Sequence, residues 1–127
     1  MSGLAEIIDV IAASLDPLTL EIPGLQITGG LNPNPTPPSI DIYPADPSAT
    51  PASMNGWEEF FTVRARVSTP DDQGAQELLM QLMDVTGPTS VIACLKATSQ
   101  FAVEERSGFQ PYPGDYLGCE WRVKEIQ

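Results

Sequence analysis

The stretch that decides the fold is residues 56–86, GWEEFFTVRARVSTPDDQGAQELLMQLMDVT, because the spacing of its apolar residues changes halfway along. The first half has the alternating period of a half-buried strand, with these side chains on one face: Phe61, Val63, Ala65 and Val67. The second half has the spacing of one helix face: Ala75, Leu78, Leu79, Leu82 and Met83. The stretch therefore predicts a strand and then a helix that share one apolar core.

Helix-terminus signals bound the second half of this stretch. Thr69 is placed to cap the helix, and Pro70 suits its first position because the missing N–H would be unpaired there in any case. The aspartates at 71–72 put negative charge near the positive end of the helix dipole. The Gly-Pro pair at 87–88 predicts that the helix has ended by that point.

Shorter periodic patterns occupy the rest of the chain. Helices are predicted over 4–15 and 90–97, although the β-branched residues of the second segment leave a strand possible there. Strands are predicted over these segments: 18–22, 25–28, 39–43, 101–105 and 117–124. Together the patterns predict a small α+β fold, with a mostly antiparallel or mixed sheet and helices packed on one face.

Loops rich in proline or glycine separate these elements within what we interpret as a single domain, residues 1–127. Residues 32–38, NPNPTPP, should form an extended surface loop, because proline cannot donate to a strand ladder. Residues 44–55 should form a mobile connection after a strand that stops at Pro44. Residues 107–114 should form a long hairpin loop that carries two aromatic side chains.

The composition is strongly acidic, with 17 acidic and six basic residues and a formal net charge of −11. Residues 1–63 contain acids but no base, so all the bases lie in residues 64–127. Nucleic-acid binding needs clustered Lys and Arg to meet the phosphates. We therefore expect no sequence-specific nucleic-acid partner, although DNA could pass nearby without adhering.

The sequence contains no recognisable arrangement of catalytic residues. Histidine is absent, which removes the commonest general base and metal ligand, and no phosphate-binding or nucleophile motif occurs. Cys94 and Cys119 lie among apolar neighbours and are interpreted as small buried residues. The sequence carries no pattern of a signal peptide or a membrane span. We expect a soluble protein with no enzymatic activity, no cofactor, no metal and no membrane partner.

Two features are candidates for contacts with other subunits or partners. Arg64 and Arg66 lie on the exposed, polar side of the predicted strand, where two guanidiniums would be well placed to pair with carboxylates of a neighbouring subunit. The alternative is that they pair within the chain, with Glu59 or with acids of an adjacent strand. Phe109 and Tyr112 in the loop at 107–114 are the second candidate, because exposed loop aromatics favour an interface.

The order of these segments resembles that of tail terminator proteins of long, non-contractile-tailed phages. The sequences that carry the resemblance follow an N-terminal amphipathic helix and a proline-rich stretch: SIDIYPAD, FFTVRARVST, DDQGAQELLMQLMD, SVIACLKA and YLGCEWRVKEI. The resemblance is one of layout over most of the chain, and it implies an α+β subunit whose small mixed sheet is backed by helices. No functional residue carries over, because the shared features are packing patterns.

The resemblance also implies a role. Tail terminators form a six-membered ring that caps the completed tail tube, halts tube polymerisation and presents the docking surface for the head connector. The partners would be identical subunits in a homo-hexamer, the major tail tube protein and the head–tail connector protein, with DNA crossing the lumen. The site would be the neck of the virion, at the head-proximal end of the tail, after assembly in the host cytoplasm.

Two other functions remain open at this point. One is a different neck or tail-completion protein of the same virion, which patterning separates poorly from a terminator. The other is a non-enzymatic cytoplasmic adaptor that binds a peptide at an exposed sheet edge or at the aromatic loop.

Overall fold

The structure is a computed structural model that describes residues 3–33, 35–51, 57–69 and 73–126. Its helices and strands follow one another along the chain with these bounds: α1 Leu4–Leu15, α2 Leu18–Glu21, β1 Gln26–Gly29, β2 Ser39–Pro51, β3 Trp57–Val67, α3 Gln73–Met83, α4 Val91–Ala97, β4 Phe101–Arg106, β5 Gln110–Tyr112 and β6 Tyr116–Glu125.

The strands form one six-stranded sheet in the order β1-β2-β3-β6-β4, and β5 also pairs with β6. β1 and β2 are parallel, whereas the other pairs are antiparallel. β3 lies in the middle, so that Val63 is opposite Ile42 on one side and Trp121 on the other. The fold is therefore α+β with a mixed sheet, as predicted.

Helices cover one face of this sheet. α1 packs against β1 and β2, α3 against β3 and β6, and α4 against β4. The predicted apolar side of β3 is confirmed, since its four side chains are at most 1% exposed. The stripe on α3 is confirmed as well: three of its residues are buried and two are half-buried against the same core, namely Ala75, Leu79 and Leu82, then Leu78 and Met83. Each large side chain buried there contributes about 1.5–3 kcal/mol.

Other predicted elements are present with their expected burial. α1 buries its apolar stripe apart from Leu4 at its start, which is 42% exposed. β6 buries alternate residues that share one face: Leu117, Cys119, Trp121 and Val123. Residues 91–97 form a helix, α4, and not a strand. The reason is visible at its start, where the Ser90 hydroxyl oxygen accepts a hydrogen bond of 3.0 Å from the Ala93 N–H.

The strand predicted over 18–22 is wrong, because this segment forms the one-turn helix α2. The Ile22 N–H donates to the Leu18 carbonyl at 2.9 Å, and both side chains are buried, whereas Leu20 between them is 88% exposed. A five-residue alternation of apolar residues fits a strand and a single helical turn equally well, and the backbone hydrogen bond decides in favour of the turn.

The mobile connection predicted from residue 44 is also wrong over its first part, because β2 continues to Pro51. Pro44 is opposite Phe61, Ala49 is opposite Glu59, and the register shifts between them. Beyond Ile42, β2 has no β1 residue beside it, so it becomes an edge strand where proline removes no second ladder bond. Residues 52–56, including the predicted Asn-Gly turn, lie outside the described residues, as do 70–72 at the predicted helix start.

The region predicted as a long loop over 107–114 instead belongs to one long hairpin. β4 and β5 pair one after the other along the same side of β6, and between them the Ser107 N–H donates to the Glu120 carbonyl at 2.8 Å. The hairpin turns at residues 113–115, where Gly114 has a φ of 95° and Asp115 one of 61°. Pro111 lies on the edge strand β5, where proline is tolerated, and Pro113 lies in the turn, so neither proline prevents this hairpin.

Candidate assembly surfaces

The polar face of the sheet, opposite the helices, has Arg64 at its centre. By register Arg64 lies between Asp41 on β2 and Glu120 on β6. Its Nε donates to Asp41 Oδ1 at 3.0 Å, and its Nη2 donates to Asp41 Oδ2, so the pair is bidentate. The Asp41 side chain is 0% exposed, and the pair is therefore largely removed from solvent.

Arg66 joins the same carboxylate and ties a loop to it. Its Nη2 donates to Asp41 Oδ2 at 3.3 Å and to the Asn32 carbonyl at 2.6 Å, while the Asn32 N–H donates back to Asp41 Oδ2 at 3.2 Å. In the same loop, Pro35 is buried and its carbonyl accepts a hydrogen bond of 3.3 Å from the Tyr116 hydroxyl. The described part of 32–38 is thus a loop, as predicted, but it is fastened to the sheet.

Two tyrosines enclose the Arg64 guanidinium. Its central carbon lies 5.1 Å from the Tyr43 ring centre and 5.5 Å from that of Tyr112, which are cation–π distances. The Tyr112 hydroxyl donates to Glu120 Oε2 at 2.6 Å. Gly118 makes room for this ring, since a Cβ there would lie 2.6 Å from a Tyr112 ring carbon. We call Asp41, Arg64, Arg66, Tyr43, Tyr112 and Glu120 the polar cluster.

The polar cluster also shifts the proton equilibria of its members. Burial and the neighbouring Glu120 raise the pKa of Tyr112, and the same two causes raise that of Tyr43, so both phenols remain protonated. Burial and the adjacent Arg64 lower the pKa of Arg66, whereas for Arg64 burial is outweighed by the hydrogen bond and the negative charge of Asp41 together, so its pKa is raised. With two guanidiniums and two carboxylates, the cluster balances its own charge.

The four residues proposed as contacts differ in their exposure and surroundings. Arg66 is 5% exposed and the Arg64 side chain is 16% exposed, so the expectation of an exposed arginine pair is wrong. They pair with an acid of an adjacent strand, which is the alternative that the sequence allowed. Tyr112 is half-buried in the same cluster, whereas Phe109 is 42% exposed at the bulge between β4 and β5, where residues 107–109 lie opposite residues 119–120 of β6. A role of these residues in subunit contacts remains a prediction.

Sequence reasoning missed the part played by Asp41. The alternation of Asp41 with Ile40 and Ile42 puts it on the face away from the apolar core, but the pairing of β2 with β3 could not be deduced from the sequence. The same register places Ser39 opposite Arg66. The signal that could have found the cluster is a lone acid on one strand and two bases at i and i+2 on another.

An apolar groove of about 850 Å³ runs beside β4, at one edge of the sheet. Its apolar lining comes from β4, α4 and the segments next to them: Val85, Ile92, Phe101, Val103 and Ile126. Val85 is 55% and Ile126 is 52% exposed, so the groove is open to solvent. We call this feature the β4 groove. It is a surface that a partner could cover, which sequence reasoning did not identify.

A second, polar groove of about 440 Å³ lies on the sheet face beside the polar cluster, between Tyr43, Thr62 and the β4–β5 bulge. Its charged lining is mixed: Asp46, Glu105, Arg106, Glu120 and Arg122. Among the described residues, no group of three or more His, Cys, Asp or Glu is arranged to hold a metal ion. No helix in the described ranges is long and apolar enough to cross a membrane.

No protein-family model matches the chain, and no curated protein sequence matches it either.

Proposed function

We propose that this protein is a structural, non-enzymatic virion component that forms a ring on the end of a phage tail tube, stops tube polymerisation and receives the head connector. What carries the proposal is the succession of segments, which resembles the layout of tail terminators. The α+β arrangement with a small mixed sheet and a helical layer is compatible with that layout. The partners would be identical subunits, the tail tube protein and the connector, and the place would be the neck of the virion.

The edges of the sheet support a role in assembly. Within the described residues, β1 pairs only with β2 and β4 pairs only with β6, so each edge strand has one side without a strand partner. Unpaired edge strands are templates for association with another chain. Exposed apolar side chains next to these edges, including Leu31 at 66% and Ile126 at 52%, add surface that association would bury.

The charge supports a lumen through which DNA passes. A formal net charge of −11 repels phosphates, and the two cations at the centre of the polar face are paired internally with Asp41. A channel with such walls does not retain DNA, because nucleic-acid affinity comes mainly from Lys and Arg contacts to phosphate.

The direct test is a capping assay. Tail tube protein is polymerised with and without the purified chain, and tube lengths and ends are recorded by electron microscopy. We expect shorter tubes, each carrying added density at one end, and a serum-albumin control that leaves lengths unchanged. Tubes of unaltered length with bare ends would contradict capping. Labelling in intact particles separates a terminator, which lies between tube and connector, from another neck or tail-completion protein.

A second candidate function, a peptide-binding adaptor, is favoured by one observation. The β4 groove places an apolar surface beside an unpaired edge strand, which is the arrangement used when an extended peptide adds to a sheet. Isolation of the tagged chain from uninfected host cells would decide. An adaptor recovers a host protein at one-to-one stoichiometry, whereas a virion ring protein recovers only itself.

A further inference from the structure

The two edges of the sheet lie at opposite ends of the subunit, since β1 and β4 are the first and last strands in the order. The β1 edge is covered on one face by α1: a Cβ at Gly29 would lie 3.2 Å from the Ile8 side chain and 3.4 Å from Asp9 Oδ1. The β4 edge is flanked by the β4 groove. Two different surfaces at opposite ends are what a head-to-tail contact requires.

The charges of these two ends differ. Residues 3–33, which form α1, α2 and β1, contain no base, and their acids are exposed: Glu6, Asp9, Asp16 and Glu21. The bases outside the polar cluster belong to α4, β4 or β6: Lys96, Arg106, Arg122 and Lys124. The β1 edge thus carries acids and no base, whereas the bases outside the polar cluster lie on α4, β4 and β6, and α1 and α4 pack against each other in the helical layer.

The β4 groove itself carries the charges that an acidic partner would meet. Lys96 and Arg106 line it and are exposed. Of the two acids in its lining, Glu104 is 3.0 Å from Lys124 Nζ in an ion pair, which leaves Glu105 as the remaining negative charge. The groove therefore combines an apolar floor with a pair of cations at its rim.

We propose that the β4 groove and β4 edge of one subunit receive the acidic α1–β1 edge of a second copy of this chain. Asp9 and Glu6 of the incoming α1 meet Lys96 and Arg106, and Leu31, which follows β1 and is 66% exposed, enters the groove with β1 alongside β4. This inference rests on the proposed ring and states which surfaces build it.

Strand directions agree with this pairing. β1 runs parallel to β2, and three successive antiparallel pairings separate β2 from β4, so β1 and β4 run in opposite directions. When the sheet continues into a second copy of the same orientation, β1 meets β4 as an antiparallel pair with the helices on the same side. Because the contact joins two different surfaces, repeating it generates a closed ring when the rotation closes.

The test uses the full chain with matched substitutions of exposed residues. Lys96→Glu and Asp9→Lys each place two like charges opposite each other across the contact. The double variant restores an attractive pair with the two charges exchanged between the subunits. Val85→Ser with Ile126→Ser removes apolar groove surface, and Met80→Ser is the control, because Met80 is 49% exposed on α3 and lies outside the groove. Light scattering gives the subunit concentration at half-assembly, and circular dichroism melting checks that each variant folds.

We expect each single charge reversal and the Val85/Ile126 variant to raise the half-assembly concentration roughly tenfold or more. The double charge variant should return to within about threefold of the wild type. Wild-type assembly that none of these variants disturbs would overturn the edge pairing and leave the ring function standing. Variants that lose assembly as expected, in a protein that fails the capping assay, would keep the pairing and remove the function. A wild type that stays monomeric and takes up an unrelated peptide in the groove would overturn both.

Discussion

Arg64 at the middle of the sheet and Lys96 beside its β4 edge are both cations of an acidic chain, yet their surroundings differ. Arg64 makes a bidentate pair with a fully buried carboxylate and lies between two tyrosine rings. Lys96 is exposed at the rim of an apolar groove. The difference teaches that charge on a polar sheet face can serve the subunit itself, while charge at the edges is the part available to neighbours.

The largest effect in this comparison is expected from Asp41→Ala. The substitution leaves two guanidiniums in a largely buried position without their carboxylate, which costs about 3–5 kcal/mol in the free energy of unfolding. Denaturant unfolding followed by fluorescence measures the loss. Asp46→Ala removes an exposed acid of the same strand and is the control, expected to change stability by less than about 0.5 kcal/mol. Equal effects of the two substitutions would mean that the polar cluster does not stabilise the fold.

Gly118→Ala is expected to have the second-largest effect on the free energy of unfolding. A Cβ at this position would lie 2.2 Å from the Ala65 carbonyl oxygen and 2.6 Å from the Tyr112 ring, so β3 or the ring must move. We expect a loss of about 1–3 kcal/mol, as for overpacking of a core. Gly108→Ala is the matched control, because a Cβ there meets nothing within 4 Å. A Gly118 variant as stable as the Gly108 variant would show that the ring of Tyr112 does not pack against this strand.

Tyr112→Phe should have a smaller effect. It removes the hydroxyl that donates to Glu120 Oε2 at 2.6 Å and keeps the ring beside Arg64. Hydrogen bonds to charged groups contribute about 1.5–3 kcal/mol, and the half-buried position favours the lower end of that range. Tyr116→Phe, which loses a neutral bond to the Pro35 carbonyl, should cost less, about 0.5–1.5 kcal/mol. The reverse order in thermal or denaturant unfolding would contradict the ranking.

Phe109→Ala should have the smallest effect on the subunit, because this side chain is 42% exposed at the hairpin bulge. We expect less than about 0.5 kcal/mol in unfolding. Comparison with Tyr112→Ala separates the two aromatics, since only the second belongs to the polar cluster. If Phe109 contacts a neighbour, its variant assembles more weakly than the wild type while melting at the same temperature. A variant of unchanged assembly would remove it from the interface.

Much of the fold could be predicted from local sequence patterns, because the spacing of apolar residues reflects which side of a helix or strand is buried. The alternation of Phe61 to Val67 and the stripe of α3 each reflect one apolar side against one core, so the α+β class follows from the sequence. The predictions failed for segments that are short or contain proline. Residues 18–22 are too few to separate a helical turn from a strand, and the prolines after Ile42 are tolerated only because β2 is an edge strand there.

The candidate site was less readable because it depends on register. Arg64 and Arg66 were recognised as unusual, but their partner Asp41 lies 23 residues before Arg64 in the chain, and only strand pairing brings them together. The β4 groove could not be predicted from the sequence for a similar reason: its lining comes from α4, β4 and two segments that are far apart in sequence. Phe109 was recognised because an aromatic residue in a segment rich in glycine and proline can be identified without knowing the strand register.

The central claim is that identical subunits join into a ring that caps a tail tube. The most direct measurement is light scattering of the concentrated wild-type chain, followed by electron microscopy of the same sample and of tail tubes to which it has been added. The account predicts closed rings of six subunits and the same ring at one end of each tube. A protein that remains a monomer at every concentration and leaves tube ends bare would contradict it.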